Sequence, residues 1–248
     1  MVTERYPLAI IAYWLFTSDM YSQLIAASPD IVITDTPNGP WRVSFDISIL
    51  ANAGIKVFSY VDGGYEGTKV RDIANDLVSA LKFISDIATR DIGVYGIFLD
   101  EVSSHPSPNG LVYLKAIKSA CEANKIKLIL NTGTPDIDTI LYSLADYVLT
   151  DENYTGRLPF STEKGHLAQT IVIGNSVNTP EQAALYTNNA WKNGFGHSYH
   201  CPTYTVMPMP YWLAKYVSLL TPPKRGCNPL SKGLSSMGLR LNHTFKGE

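Results

Sequence analysis

Gly96-Ile97-Phe98-Leu99-Asp100-Glu101 is the stretch that decides the fold. A short apolar run with no alternation is a strand buried on both faces, the habit of parallel sheets covered by helices. This run ends abruptly in two carboxylates. A carboxylate at the rim of an apolar strand is costly unless it is paired or used. Successive side chains of a strand point to opposite faces. Asp100 and Glu101 therefore diverge unless the chain turns at once.

The same pattern recurs on either side. Ala9 to Trp14, Ile31 to Thr34 and Lys56 to Tyr60 read as the first three strands, and Gly96 to Asp100 is the fourth. Leu128 to Asn131, Tyr147 to Thr150, Thr170 to Ile173 and Phe195 to His200 complete a set of eight. Between them lie helical stretches: about Ser18 to Ala27, Phe45 to Ala53, Val70 to Ala88, Asn109 to Ala123, a short one near Pro135, Pro180 to Asn193, and Tyr211 to Leu220. Ile73, Leu77, Leu81 and Ile84 have helical spacing, and Pro180 stands where a helix start welcomes proline. Strand-then-helix units repeated eight times predict a closed (β/α)8 TIM barrel, α/β in class. It forms one domain over residues 1–220, with 221–248 as an irregular C-terminal extension. An open doubly wound sheet requires a glycine-rich turn after the first strand. Tyr13-Trp14-Leu15-Phe16 contains no glycine.

Composition narrows the function. The chain has 248 residues, 45% of them hydrophobic and 17% charged, with a formal net charge of −2. Such a chain builds a large core and has no electrostatic reason to bind nucleic acid or an anionic membrane. No apolar run reaches the roughly 18–20 residues that span a bilayer. Leu8 to Phe16 reads as a strand and not as a secretion leader. The sequence as it stands is expected to be cytoplasmic, or extracellular if a leader has been removed. Cys121, Cys201 and Cys227 form no CxxC pair, which argues against a disulfide framework; one Cys201–Cys227 bridge stays open.

In a barrel of this kind the site lies at the C-terminal ends of the strands. Those ends deliver Tyr13 and Trp14; Asp35 and then Asn38; Tyr60 and Asp62; Asp100 and Glu101; Asn131; Asp151, Glu152, Asn153 and Tyr154; Asn175; and His197, Tyr199 and His200. The opposite ends offer no comparable set. Carboxylates from strands four and six can converge across the mouth, and paired carboxylates are what glycosidic cleavage requires. Tyr13, Trp14, Tyr60, Tyr65, Tyr154 and Tyr199 suit a ring-bearing ligand such as a sugar. There is no His-x-His, no Gly-x-Ser-x-Gly elbow and no phosphate-cradling Gly-rich loop.

Several of these blocks together resemble the spherulin-4 family. They are Ile31 to Pro40 with its Asn38-Gly39-Pro40, Val57 to Asp62, Gly96 to Val102, Leu130 to Thr134, and Ala145 to Tyr154. The likeness runs from about Tyr6 to about Trp212. It implies a (β/α)8 barrel akin to endo-α-1,4-N-acetylgalactosaminidases and endo-α-1,4-polygalactosaminidases. It implies that Asp100 and Glu101 match the acidic pair after strand four. The third acidic residue of the family is a glutamate after strand six. Its aligned position here is Asp151, with Glu152 beside it.

The expectation is a glycoside hydrolase, endo-acting on an α-1,4-linked galactosamine or N-acetylgalactosamine polysaccharide, with no cofactor. The candidate catalytic residues are Asp100, Glu101, Asp151 and Glu152, with Glu101 as acid/base and a strand-six carboxylate as its partner. Tyr13, Asp35, Asn38, Tyr60, Asp62, Asn131, Tyr154 and Tyr199 are the candidate sugar contacts. The rival readings are a carbohydrate-binding barrel without turnover and a hydrolase with a metal between Asp100 and a histidine.

Overall fold

The computed structural model describes residues 5–13, 18–36, 46–67, 77–90, 93–202 and 210–222. Trp14, Asn38, Phe45, Val70 to Asp76, Cys227 and the expected extension past Pro222 lie outside them. The first half runs β1 (Tyr6–Ala12), α1 (Ser18–Ala27), β2 (Pro29–Thr34), α2 (Ser48–Asn52), β3 (Lys56–Asp62), α3 (Gly64–Gly67), α4 (Leu77–Arg90) and β4 (Val94–Asp100). The second half runs α5 (Pro108–Ala123), β5 (Lys127–Asn131), α6 (Ile140–Leu144), β6 (Tyr147–Asp151), α7 (Ser161–Lys164), β7 (Thr170–Gly174), α8 (Pro180–Asn193), β8 (His197–His200) and α9 (Pro210–Ser218). The eight strands close in sequence order into a parallel barrel. Leu8 meets Ser198 where β1 joins β8.

Alternation along the strands sorts the core. Ile97, Leu99, Leu128, Leu130 and Val148 pack with Ile84 and Ile87 of α4 and Leu114 and Ile117 of α5. The intervening Phe98 and Ile129 instead join Phe58, Leu149 and Ile171 inside the barrel. Phe58 has room because its neighbour on β4 is Gly96. A Cβ there would lie 2.5 Å from the Phe58 ring and 2.4 Å from the Lys127 carbonyl oxygen. Among the described residues no helix is long and apolar enough to cross a membrane.

Local chemistry moves some boundaries. The helix expected near Pro135 begins at Ile140, because the Asp138 carboxylate takes the Ile140 N–H at 3.0 Å. β8 begins at His197 and not at Phe195. Gly194, at φ 96°, ends α8, and the Gly196 N–H bonds to the Leu167 carbonyl. His197 is therefore at the start of its strand, away from the mouth where the sequence reading placed it. Its Nε2 lies 2.9 Å from Asp30 Oδ2, which also accepts from Lys56 Nζ at 2.9 Å. The imidazole is edge-on to Tyr147. These side chains fill the bottom of the barrel.

Burial alone would raise the Asp30 carboxyl, but the hydrogen bonds and charges of His197 and Lys56 outweigh it and hold the group at about 2. A depressed carboxylate stabilises the fold above its unfolded pKa, near 4, and that contribution is lost as pH falls toward 2. Asp30→Asn is expected to cost about 2 kcal/mol at neutral pH. Denaturant melts at several pH values should show the gap to wild type closing below pH 4.

Candidate active site

Two departures from strand geometry build the site. The first follows β4. Asp100 faces the mouth, where the Tyr60 hydroxyl donates to Oδ2 at 2.8 Å and the Asn131 amide donates to Oδ1 at 2.6 Å. Glu101 then turns at once, with φ at 52° in the left-handed region. That conformation costs a non-glycine residue about 1–2 kcal/mol. It brings two adjacent carboxylates to one pocket, where an extended chain would have sent them apart.

The second departure is in β6. Val148 pairs with Thr170 and Leu149 with Ile171, but Asp151 pairs with Val172. Thr150 is the extra residue of a β-bulge. A one-residue slip sends each following side chain to the opposite face. Thr150 donates to Glu163 Oε1 at 2.7 Å. Asp151 turns to Arg157, whose Nε lies 3.1 Å from its Oδ2. Glu152 takes the inward position, where the Asn131 amide donates to its Oε1 at 2.7 Å.

Asn131 thus donates to both Asp100 and Glu152. Its own oxygen accepts the Gly133 N–H at 3.0 Å, which fixes the orientation of the amide. Asp100, Glu101, Asn131, Gly133, Glu152 and Tyr65 line a pocket of about 190 Å³ at the C-terminal ends of β4 to β6. Glu152 is raised above the usual carboxylate range. Burial is the main cause, the Asn131 hydrogen bond opposes it, and the charges of Asp100 and Asp151 add to it. Tyr13 is edge-on to Tyr60 with centroids 5.6 Å apart. Its hydroxyl is raised well above the usual value by burial and then by Asp100, Tyr60, Glu152 and Asp35.

Of the residues expected from sequence, Asp100, Glu101, Glu152 and Asn131 meet in the pocket, with Tyr60 and Tyr13 behind Asp100. Asp35 is buried near Tyr13, and Asp62 is buried with its Oδ1 on the Gly64 N–H at 2.9 Å. Asp151 is not in the pocket. It lies outside the barrel wall on Arg157, and burial raises its carboxyl despite that partner and the Asn153 N–H. Tyr154 is fully buried beside Phe195 and accepts from the Asn193 amide at 2.9 Å, so it packs the outer layer and not the cleft. Tyr199 is fully buried and edge-on to Tyr216. Asn38 lies outside the described residues.

The metal-dependent alternative placed a histidine beside Asp100. His197 is at the bottom of the barrel. His200 is fully buried, with Nδ1 on Thr187 and Nε2 3.0 Å from the Tyr154 carbonyl oxygen. Burial lowers it to about 4. Among the described residues no group of three or more histidine, cysteine, aspartate and glutamate side chains is arranged to hold a metal.

Sequence reasoning missed Arg157 and Glu163. The Arg157 guanidinium grips the fully buried Glu163 through two bonds, 3.0 and 3.1 Å, as well as holding Asp151. Glu163 also accepts the Phe160 N–H at 2.8 Å. The available signal was an arginine five residues after a tandem acidic pair.

The spherulation-specific family 4 model, Spherulin4, matches residues 29–199. The chain belongs to this family. The resemblance read from its strand ends holds, and the family match spans β2 to β8. No curated protein matches the chain in sequence. Among solved structures, this family member is similar to Aspergillus clavatus Sph3 in complex with GalNAc, at 15% identity and a TM-score of 0.62, covering 88% of this chain and 98% of that one. A chitinase from Chromobacterium violaceum aligns at 14% identity and TM-score 0.58, over 85% and 99% of the two chains. An endo-β-N-acetylglucosaminidase from Cordyceps militaris aligns at 14% and 0.51, over 89% and 93%. At these identities the likeness establishes the fold. These three are sugar-cleaving enzymes by name or hold a sugar.

Removing the charge of Glu152 and removing the cation beside Asp151 and Glu163 should have opposite effects on stability. A raised carboxyl stabilises the fold below its unfolded pKa, and that contribution is lost as pH rises through the folded value. Glu152→Gln is therefore expected to melt at or above wild type at pH 7, with the difference shrinking toward pH 4. Arg157→Met strands buried charge and should cost about 3–5 kcal/mol. Thermal melts of both variants at the two pH values check this.

Proposed function

We propose that this family member hydrolyses an α-1,4-linked galactosamine or N-acetylgalactosamine polysaccharide within the chain. The observation that carries the reading is the single pocket holding Asp100, Glu101 and Glu152 at the C-terminal ends of the strands. Family membership supports the sugar class, as does the GalNAc held by the similar Sph3 structure.

Glycosidic cleavage requires one carboxylic acid and one carboxylate on either side of the bond. The buried environment of Glu152 favours its protonated form, so it is suited to give its proton to the departing glycosidic oxygen. This shifts the proton-donating role from Glu101, favoured in the sequence reading, to Glu152. Glu101 then meets the anomeric carbon, either directly or by taking a proton from the attacking water. Asp100, held by Tyr60 and Asn131, orients the sugar and its neighbours. Asp151, engaged by Arg157, has no part in this reaction.

Reducing-end release from α-linked galactosamine, N-acetylgalactosamine and galactose polymers tests the proposal. Glu101→Gln and Glu152→Gln are each expected to lose about 10²–10⁴-fold in kcat. An aryl glycoside with a good leaving group needs no protonation of that group. It should restore turnover by Glu152→Gln and not by Glu101→Gln. Wild-type turnover in both variants removes the pair from the chemistry. Sugar binding with no turnover by the wild-type chain returns the function to a carbohydrate-binding barrel.

A further inference from the structure

The aromatic residues expected at the mouth have separated into different roles. Tyr154 and Tyr199 are core, Tyr60 gives its hydroxyl to Asp100, and Tyr13 packs edge-on behind it. Tyr65 differs from all of these. It is 40% exposed and lines the pocket with the three carboxylates.

Its position is set by backbone. The Gly63 N–H bonds to the Asp100 carbonyl at 3.0 Å, and the Tyr65 N–H bonds to the Glu101 carbonyl at 2.6 Å. The loop after β3 is thereby stitched to the end of β4. Gly63 permits the approach, because a Cβ there would lie 2.7 Å from the Asp100 carbonyl oxygen. Gly64 and Tyr65 are both left-handed, at φ 47° and 51°. Glycine adopts that region freely, whereas a tyrosine there is strained by about 1–3 kcal/mol. A residue with a strained backbone, bonded through its own N–H to the backbone of a pocket carboxylate and presenting an exposed ring to the pocket, is the kind of feature that persists for a ligand.

We propose that Tyr65 is the stacking platform for a pyranose ring at the subsite beside the scissile bond, held in register with Glu101 by the bond between their backbones. This rests on the glycosidase reading above. A galacto-configured ring, with its 4-oxygen axial, gathers its C3 to C6 hydrogens into one apolar face. Such a face suits the flat side of a tyrosine ring.

The test is calorimetric titration of Glu101→Gln with hexasaccharides of α-1,4-linked N-acetylgalactosamine and of galactosamine. The same titrations are made with Tyr65→Phe and Tyr65→Gly added. Glycine suits φ 51°, so Tyr65→Gly is expected to keep the loop and melt no lower than its parent. Phenylalanine should hold affinity within about twofold, and glycine should weaken it about tenfold. Unchanged affinity in Tyr65→Gly, or equal losses in both variants, overturns the platform alone. Failure of the parent to bind either hexasaccharide defeats the glycosidase reading, and the platform falls with it.

Discussion

Side chains of a β-strand alternate between two faces, and the pocket exists where the chain breaks that rule. In a closed parallel barrel, one face of each strand points into a packed interior and the other into the helices. Only the last inward residue of a strand reaches the mouth. Left alone, β4 would offer Asp100 and β6 would offer Asp151. The left-handed turn at Glu101 adds a second carboxylate after β4. The bulge at Thr150 replaces Asp151 with Glu152 after β6.

Gathering acids in one place raises their mutual repulsion, and among the described residues Asp100 and Glu152 meet neutral donors. Tyr60 and Asn131 meet Asp100, and Asn131 also meets Glu152. Neither donor carries a charge that would draw the acids fully into their ionised form. On the other side of the wall a guanidinium does the work, where Arg157 serves Asp151 and Glu163. The same carboxylate type is thus placed in two settings a residue apart, one facing a ligand space and one tied into structure.

The fold was legible because its signal is distributed. Eight apolar runs, each closed by polar residues, predict strand order and the location of the mouth without knowledge of any contact. The helix boundaries that moved did so through single local bonds, such as Asp138 to the Ile140 N–H. The site was legible in part. Asp100, Glu101 and Asn131 follow from their strands by simple alternation or by an immediate turn. The choice between Asp151 and Glu152 did not, since a bulge is a property of pairing between strands and leaves no mark in composition. Tyr154 and Tyr199 were misplaced for a related reason. An aromatic residue at a strand end packs inward or outward according to neighbours distant in sequence, here Phe195 and Tyr216.

The bulge also bears on how relatives should be matched to this chain. Two acidic residues stand side by side, and a letter-by-letter superposition is free to choose either. What decides equivalence is the number of residues between the last regular pair of β6 and the inward turn. A homologue of the same length whose sixth strand lacks the bulge would bring its own first acid to the mouth. Lineages in this family are therefore better compared by counting from the Leu149–Ile171 pair than by scoring the chemical likeness of the residues that follow it.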